Sequence, residues 1–527
     1  MGWHARNCRY KVMRFPNLIQ TCLAAAAVVT LTSCATPVRK IASETGEIPI
    51  SRDLWTATAE YLEFISGPGL TPQNCAAVLG QLHYQLFNTS STYFDGQIAD
   101  EYSHEIIDNL FKGRIALRER LGEFTREGRA TPECVEATRG ALRAARFLED
   151  VIGERMLKPA PFNPKYPQRV FSGAYPSVLV NPHTHEAKRA FDIYAVLRSG
   201  DLLMSRGSAF TSAAIARIGN AGSQFSHLAL VYIDETTHKK YVIQAEIEVG
   251  VIVTPLEDYL ADGKVRSALY RYPDAALAAR AAHIMFEKVS HAQATGTNIP
   301  YNFSLELGQR DHLFCSQVIE YAFALASDDK IEIPIFKSHT GRVSPDFIRS
   351  IGVTATETFL PGDVEVDPRL ELIAEWRDYS RVRDSRMKDI VLDEIYFWMT
   401  MRGYVLQPNF KSWLLETVVY RARRWPLFEG LLKKKFPLNM SKTALGTIAL
   451  LNDVVEDIEG HLSQLDLAQQ SRTGVGMSER EMLDALELYR VQDEARYPRC
   501  DGRGNRMSNT HGPKAKFHQL FRPNCKK

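Results

Sequence analysis

The chain has 527 residues, 45% of them hydrophobic and 24% charged, enough for two or three globular units with cores of their own. Its 64 lysines and arginines nearly balance 62 aspartates and glutamates, and a formal charge of +2 leaves no electrostatic footprint for nucleic acid. The eight cysteines are scattered without a CxxC pair, so the spacing of a zinc site is absent and no metal is expected.

The first element is a targeting segment. Arg6, Arg9, Lys11 and Arg14 precede an apolar stretch from Leu18 to Leu31 that is short and alanine-rich for a membrane span and closes on Leu31-Thr32-Ser33-Cys34. This resembles a bacterial lipoprotein signal, which implies removal of residues 1–33 and lipidation of Cys34 as a membrane anchor. Ala35, not aspartate, follows the cysteine, and by resemblance to Gram-negative sorting this directs the protein to the outer membrane, facing the periplasm.

Residues 34–160 read as a helical region. Thr71-Pro72 and Thr131-Pro132 each look like a helix start, with threonine as N-cap and proline in the first turn. Cys75 and Cys134 then sit in matching first turns and can be bridged. With Cys8 and Cys22 removed and Cys34 lipidated, Cys315, Cys500 and Cys525 complete an odd set, so one thiol stays unpaired. Cys500 and Cys525 bracket a Gly, Asn and Lys-rich tail, residues 499–527, that would gain from a staple. Cys315 is left over.

Residues 161–365 form the middle domain, entered through a proline-rich linker. Ser199-Gly200-Asp201 opens an apolar run ending at Arg206, and an alanine-rich helix follows. In QFSHLALVYID the residues His227, Ala229, Val231 and Ile233 share one parity, as in a buried strand with a histidine near its start. The next run, YVIQAEIEVGVIV, reads as one strand with Val242, Gln244 and Glu246 on one face, and Thr254-Pro255 as the start of a short helix. In DHLFCSQVIEYAF, Val318, Ile319, Ala322 and Phe323 give the buried face of a helix that begins at Cys315. A cysteine there feels the unpaired N–H groups and positive end of the helix, which favour thiolate.

Residues 366–498 return to a helical pattern. Tyr396, Phe397, Trp398, Trp413 and Tyr420 suit a buried helix pair, and Ser478 with Glu481 forms a capping box. Arg421, Arg423, Arg424 and Lys433-Lys434-Lys435 add a basic cluster beside aromatics.

The order GDLLMSRG, SHLALVY, YVIQA, GVIVTPLEDYL, YNFSLEL, FCSQVIEYAF, SPDFI resembles the permuted papain-like amidases of the YiiX and YaeF type within the NlpC superfamily. The resemblance implies an α+β fold in which a circularly permuted papain-like domain, an antiparallel sheet with packed helices, is flanked by helical regions. It implies Cys315 as nucleophile and His227 as its base. Glutamate is usual at the third position; here Gln244 aligns with it and Glu246 stands one strand period further on, so the third member is Gln244 or Glu246. Tyr301, Asp201 and Arg206 are expected near the cleft as substrate-binding residues.

Such a site calls for no cofactor and works as a thiol hydrolase on an envelope peptide amide, with Cys315 expected to react at mildly acidic pH. The alternatives are transfer or hydrolysis of an acyl or lipid ester, and an idle binding lipoprotein.

Overall fold

The computed structural model describes residues 53–157, 175–422, 440–497 and 515–524, apart from 89, 92, 189–191, 220–221, 341–342, 409, 415–416 and 419. The segment read as a signal, residues 1–33, and Cys34, Cys500, Cys525 and the basic residues from Arg423 to Lys435 lie outside the described residues.

Five helices open the described chain: α1 (Leu54–Ser66), α2 (Cys75–Asn88), α3 (Gly96–Glu101), α4 (Ser103–Arg126) and α5 (Pro132–Leu157). Thr131 caps α5 as expected, its Oγ1 accepting from the backbone N–H of Cys134 at 3.2 Å. Thr71 lies one turn ahead of α2, and its carbonyl accepts from the Cys75 N–H at 2.9 Å. The two first turns still meet, and a Cys75–Cys134 disulfide joins them with Cα atoms 5.3 Å apart.

Next come β1 (Val178–Val180), α6 (Ile193–Val196), β2 (Leu202–Gly207), α7 (Phe210–Arg217), β3 (His227–Ile233), β4 (Lys240–Glu246), β5 (Gly250–Pro255), α8 (Leu256–Ala261), β6 (Lys264–Arg271), α9 (Ala275–Thr295) and α10 (Cys315–Ser327). After a two-stranded ribbon of β7 (Ser338–His339) and β8 (Glu357–Thr358), with α11 (Pro345–Ser350) between its strands, the chain enters β9 (Glu371–Arg377). One seven-stranded sheet runs β1-β9-β6-β2-β3-β4-β5, antiparallel at every pair. It reaches past the expected edge at residue 365, because β9 lies between β1 and β6, and β1 itself comes from the stretch read as linker.

The run YVIQAEIEVGVIV is a hairpin rather than one strand. Gly250 sits at φ +83° at the turn, a conformation in which glycine carries no steric penalty, and an added Cβ would stand 2.1 Å from the Ile299 carbonyl oxygen. The fold-back pairs Gln244 with Ile252 and Val242 with Thr254, so Thr254 belongs to β5 and not to a helix cap. One face of the sheet buries Leu228, Leu230 and Ile243 under Val318, Ile319 and Ala322 of α10; the other buries Ala229, Val231 and Val242 with Leu256, Tyr259 and Leu260 of α8.

The N-terminal helices are tied to the sheet by buried charge. Arg114 of α4 donates to Glu149 of α5 at 2.8 Å and to Glu375 of β9 at 2.8 Å. Arg146 and Arg377 also donate to Glu375, at 3.0 and 2.8 Å, and Arg266 pairs with Asp150. Buried charges persist only when matched in this way.

On the far side, α12 (Tyr379–Met401), the short α13 (Phe410–Leu414) and α14 (Tyr420–Ala422), α15 (Lys442–Thr473) and α16 (Glu479–Ala495) follow, and β10 (Tyr404–Leu406) pairs with β11 (Phe521–Pro523). The Ser478–Glu481 capping box is present. The expected buried aromatic pair of helices holds only in part. Ile395, Tyr396, Trp398 and Met399 form the inward stripe of α12, whereas Phe397 is 44% exposed and Trp413 on α13 is 53% exposed. Helical flanks and sheet share one hydrophobic core, and Ile48–Lys527 form one compact unit where two or three were expected.

Candidate active site

Strand β3 starts at His227, and α10 starts at Cys315 with Phe314 as its N-cap. Because α10 packs over the Leu228 face of the sheet, its first residue reaches the end of β3. There the backbone N–H of Leu228, next in chain to His227, donates toward the Cys315 sulfur. Cys315 is free and 5% exposed. No hydrogen bond joins Sγ to the imidazole among the described residues; what ties Cys315 to the start of β3 is the Leu228 N–H, one residue past His227.

The imidazole is held from the other side. Nε2 of His227 lies 2.8 Å from Oε1 of Gln244. The same amide donates from its Nε2 to Oε1 of Glu246 at 3.0 Å and to Oγ1 of Thr254 at 3.1 Å. Two acceptors on the NH₂ leave the carbonyl oxygen for His227, so the ring presents N–H at Nε2 and a lone pair at Nδ1. Of the two candidates for third member, Gln244 touches the histidine and Glu246 touches Gln244.

Electrostatics set the resting protonation. Burial pushes the Cys315 thiol up, against the N–H groups of Leu228, Ser316 and Cys315 itself, which pull it down. Burial first, and then the charge of Lys264, push His227 down to about 4, while the Gln244 bond and Asp262 act the other way. Both shifts favour the neutral thiol and neutral imidazole, so the thiolate expected from a helix start gives way to desolvation here.

Around the pair stand groups that the sequence reading named and others that it missed. Tyr301 is buried beside the nucleophile, and its hydroxyl is raised by burial, by Cys315 and by Glu248. The loop carrying it is pinned to α10 by Gln317, whose Oε1 accepts from Asn302 at 3.1 Å and whose Nε2 donates to the Leu307 carbonyl at 3.0 Å. Tyr259 of α8 donates to Ser205 Oγ at 3.2 Å, and Ser205 is the register partner of His227. Lys264 stands 4.2 Å over the Tyr259 ring and pairs with Asp262 at 2.7 Å. Thr254 was legible in principle: once the turn at Gly250 is placed, it shares a face with Gln244. Nothing in the chain around Lys264 singles it out.

Asp201 and Arg206 have their partners elsewhere in the fold, and no contact of either with Cys315 or His227 occurs among the described residues. Asp201 is buried under a two-pronged contact from Arg271, 2.8 Å at each oxygen, and Arg206 is buried against Asp389 at 2.8 Å. Both charges are matched inside the fold, Asp201 by Arg271 and Arg206 by Asp389, which accounts for them without a substrate. His183 bonds Glu119 at 2.9 Å through Nδ1.

Residues 196–374 match the family model described as permuted papain-like amidase enzyme, YaeF/YiiX, C92 family. This part of the chain is therefore a permuted papain-like domain, histidine strand first and cysteine helix last, of the cysteine hydrolase kind. The match runs from α6 through α10 and stops inside β9. No curated protein and no solved structure matches the chain.

Proposed function

We propose that the protein is a cell-envelope cysteine hydrolase that cleaves amide bonds in envelope peptide material through Cys315, His227 and Gln244. The observation that supports this most is the Gln244 amide, held by Glu246 and Thr254 so that its oxygen takes the Nε2 proton of His227 and leaves Nδ1 unprotonated.

The chemistry balances as follows. His227 Nδ1 takes the proton from Cys315 Sγ as the sulfur bonds the carbonyl carbon. The carbonyl electrons move to oxygen, where the backbone N–H of Cys315 at the helix start donates. The oxyanion collapses, the C–N bond breaks, and the Nδ1 proton leaves with the amine. Water then attacks the thioester, its proton passing through Nδ1 to the departing sulfur, and a carboxylic acid is released. Gln244 accepts from Nε2–H throughout and favours the imidazolium of the two transition states.

A peptide amide is preferred over an acyl ester because Tyr301, Glu246, Glu248, Asp262 and Lys264 crowd the sulfur and imidazole with polar groups, where an acyl chain calls for a long apolar groove. Export, lipidation at Cys34 and an outer-membrane site facing the periplasm are supported by the Leu31-Thr32-Ser33-Cys34 ending. The Cys75–Cys134 bridge supports an oxidising compartment. Activity against envelope peptides and lipid esters assayed in parallel tests the reading. Peptide cleavage is expected, absent in Cys315→Ala; cleavage confined to esters, or surviving in Cys315→Ala, overturns it.

A further inference from the structure

Strand β6 brings a lysine to the histidine's face of the sheet. Ser205 of β2 is the register partner of His227, and Gly207, two residues on, shares its face. A register shift between Arg206 and Gly207 sets Lys264, not Val265, opposite Gly207. Bulges beside active sites re-aim side chains, and here the shift turns Lys264 toward the row of Ser205 and His227. Tyr259 of α8 spans the two: its hydroxyl donates to Ser205 Oγ at 3.2 Å, and Lys264 Nζ stands 4.2 Å from the centre of its ring.

Lysine is almost never so buried without a partner. Lys264 is 5% exposed, and the side chain of its partner Asp262, 2.7 Å away, is 77% exposed. The pair is therefore oriented, ammonium inside and carboxylate in water, and solvent screens the anion more than the cation. His227 faces the positive end. Cys315, Tyr259 and Tyr301 stand around the ring with their protons held on by burial. Glu246 is bonded to the far side of the Gln244 amide, and Glu248 lies exposed in the turn from β4 to β5. Among the charges, Lys264 acts on the ring most strongly.

We propose that Lys264 is a positioning residue that acts through His227 and tilts the site toward amides over esters. The inference rests on the hydrolase reading of Cys315 and His227. Thiolate is the nucleophile, so the ring is imidazolium when the sulfur attacks. An aryl ester then loses its oxygen as a stable anion, and the ring keeps its full charge across the barrier. An amide nitrogen keeps the electron pair of the breaking C–N bond and must take the Nδ1 proton, so the ring has passed on part of its charge at that barrier. A fixed cation beside the ring opposes the first barrier more than the second, which is discrimination by repulsion.

Nitrogen NMR of labelled histidine, with His227 assigned by its loss in His227→Gln, follows the ring over a pH series and needs no substrate. In Lys264→Met the ring should bind its proton about tenfold more tightly than in the parent, and Lys264→Arg should match the parent. Asp262→Asn breaks the same ion pair but leaves the cation, so its ring should bind the proton no more tightly than the parent's. On turnover, the envelope peptides of the parallel assay are set against p-nitrophenyl acetate. The peptide-to-ester ratio of kcat/KM should fall about threefold or more in Lys264→Met and not in Lys264→Arg. Lys264→Gln is the second neutral variant if Lys264→Met loses the parent's circular dichroism. A parent without any turnover fails the hydrolase reading and takes the selectivity with it. In an active parent, the role of Lys264 alone is overturned if Lys264→Met leaves the titration or the ratio unchanged. It is overturned too if Asp262→Asn behaves as Lys264→Met does, the mark of a merely structural pair.

Discussion

Oε1 of Gln244 lies 2.8 Å from Nε2 of His227, on an amide whose NH₂ is spent on Glu246 and Thr254. A reversed amide would set its oxygen against the Glu246 carboxylate, so the imidazole tautomer follows from a residue that never touches it. This orders their importance. Removing Gln244 frees the ring; removing Thr254 or Glu246 only loosens the amide.

Gln244→Ala is therefore expected to lower kcat by about 10²-fold or more, in the range of a lost acid–base orienting group. Thr254→Val and Glu246→Ala should each cost less, about tenfold. Gln244→Glu restores the residue usual in the family and adds a charge that favours imidazolium, so the acid limb of kcat/KM should move up from its parent position near 4. Steady-state kinetics over a pH series would decide it. A larger loss in Glu246→Ala than in Gln244→Ala would reverse the assignment.

The resting protonation states bear on thiol chemistry. Burial raises Cys315 and lowers His227, so alkylation of Cys315 in the free enzyme should be slow at mildly acidic pH. It should climb as pH passes the ordinary thiol range of about 8.5. A flat, fast profile from acidic pH would mean that the ion pair forms at rest. His227→Ala should leave this alkaline labelling largely intact while abolishing turnover, because the histidine acts during attack and not before it.

How much of this was legible in the sequence depends on range. Helix starts at Thr131 and Ser478, the strand at His227 and the helix at Cys315 are set by patterns within a few residues, and each is where those patterns put it. The turn at Gly250 was missed because the run on both sides alternates without a break, and a lone glycine is weak evidence against a strand. Strand β9 was missed since its pairing partners, Val178 to Val180 and Arg266 to Arg271, are distant in sequence. Asp201 and Arg206 looked functional beside a site motif, yet Arg271 and Asp389, which consume them, come from elements that no local pattern connects to them.

The same distance rule hides the residue on which the N-terminal helices depend. Glu375 accepts from Arg114, Arg146 and Arg377 in a fully buried cluster. Burial alone would raise its carboxyl, but Arg114, Arg146, Arg377 and Arg266 hold it well below the usual carboxylate range. A group with a depressed folded value stabilises the fold above its unfolded value of about 4.3, and the contribution is lost as pH falls through the folded value. Glu375→Ala should cost about 3–5 kcal/mol, since it strands guanidinium groups without their shared partner. Urea unfolding at neutral pH checks the size. Wild type should lose stability on acidification more steeply than the variant does.

The final prediction concerns covalent state. Cys75 and Cys134 are joined across 59 residues of sequence between two helix starts, and closing a loop of that size restricts the unfolded chain by up to about 4 kcal/mol in the chain-entropy account. Cys315 is free and buried at the end of β3, and its role as nucleophile requires that it stay reduced. The two demands are compatible because the bridge lies on the helical flank while the thiol lies against the sheet, so oxidising conditions need not couple them. A reductant that opens the bridge should lower the thermal midpoint yet leave turnover unchanged in protein that remains folded, and Cys75→Ala should do the same. Mass spectrometry of the unreduced protein, alkylated after unfolding, should recover Cys75 and Cys134 in one linked peptide pair and Cys315 as an alkylated thiol. Cys315 found in a disulfide in active protein would remove the nucleophile from the site and, with it, the chemistry assigned there.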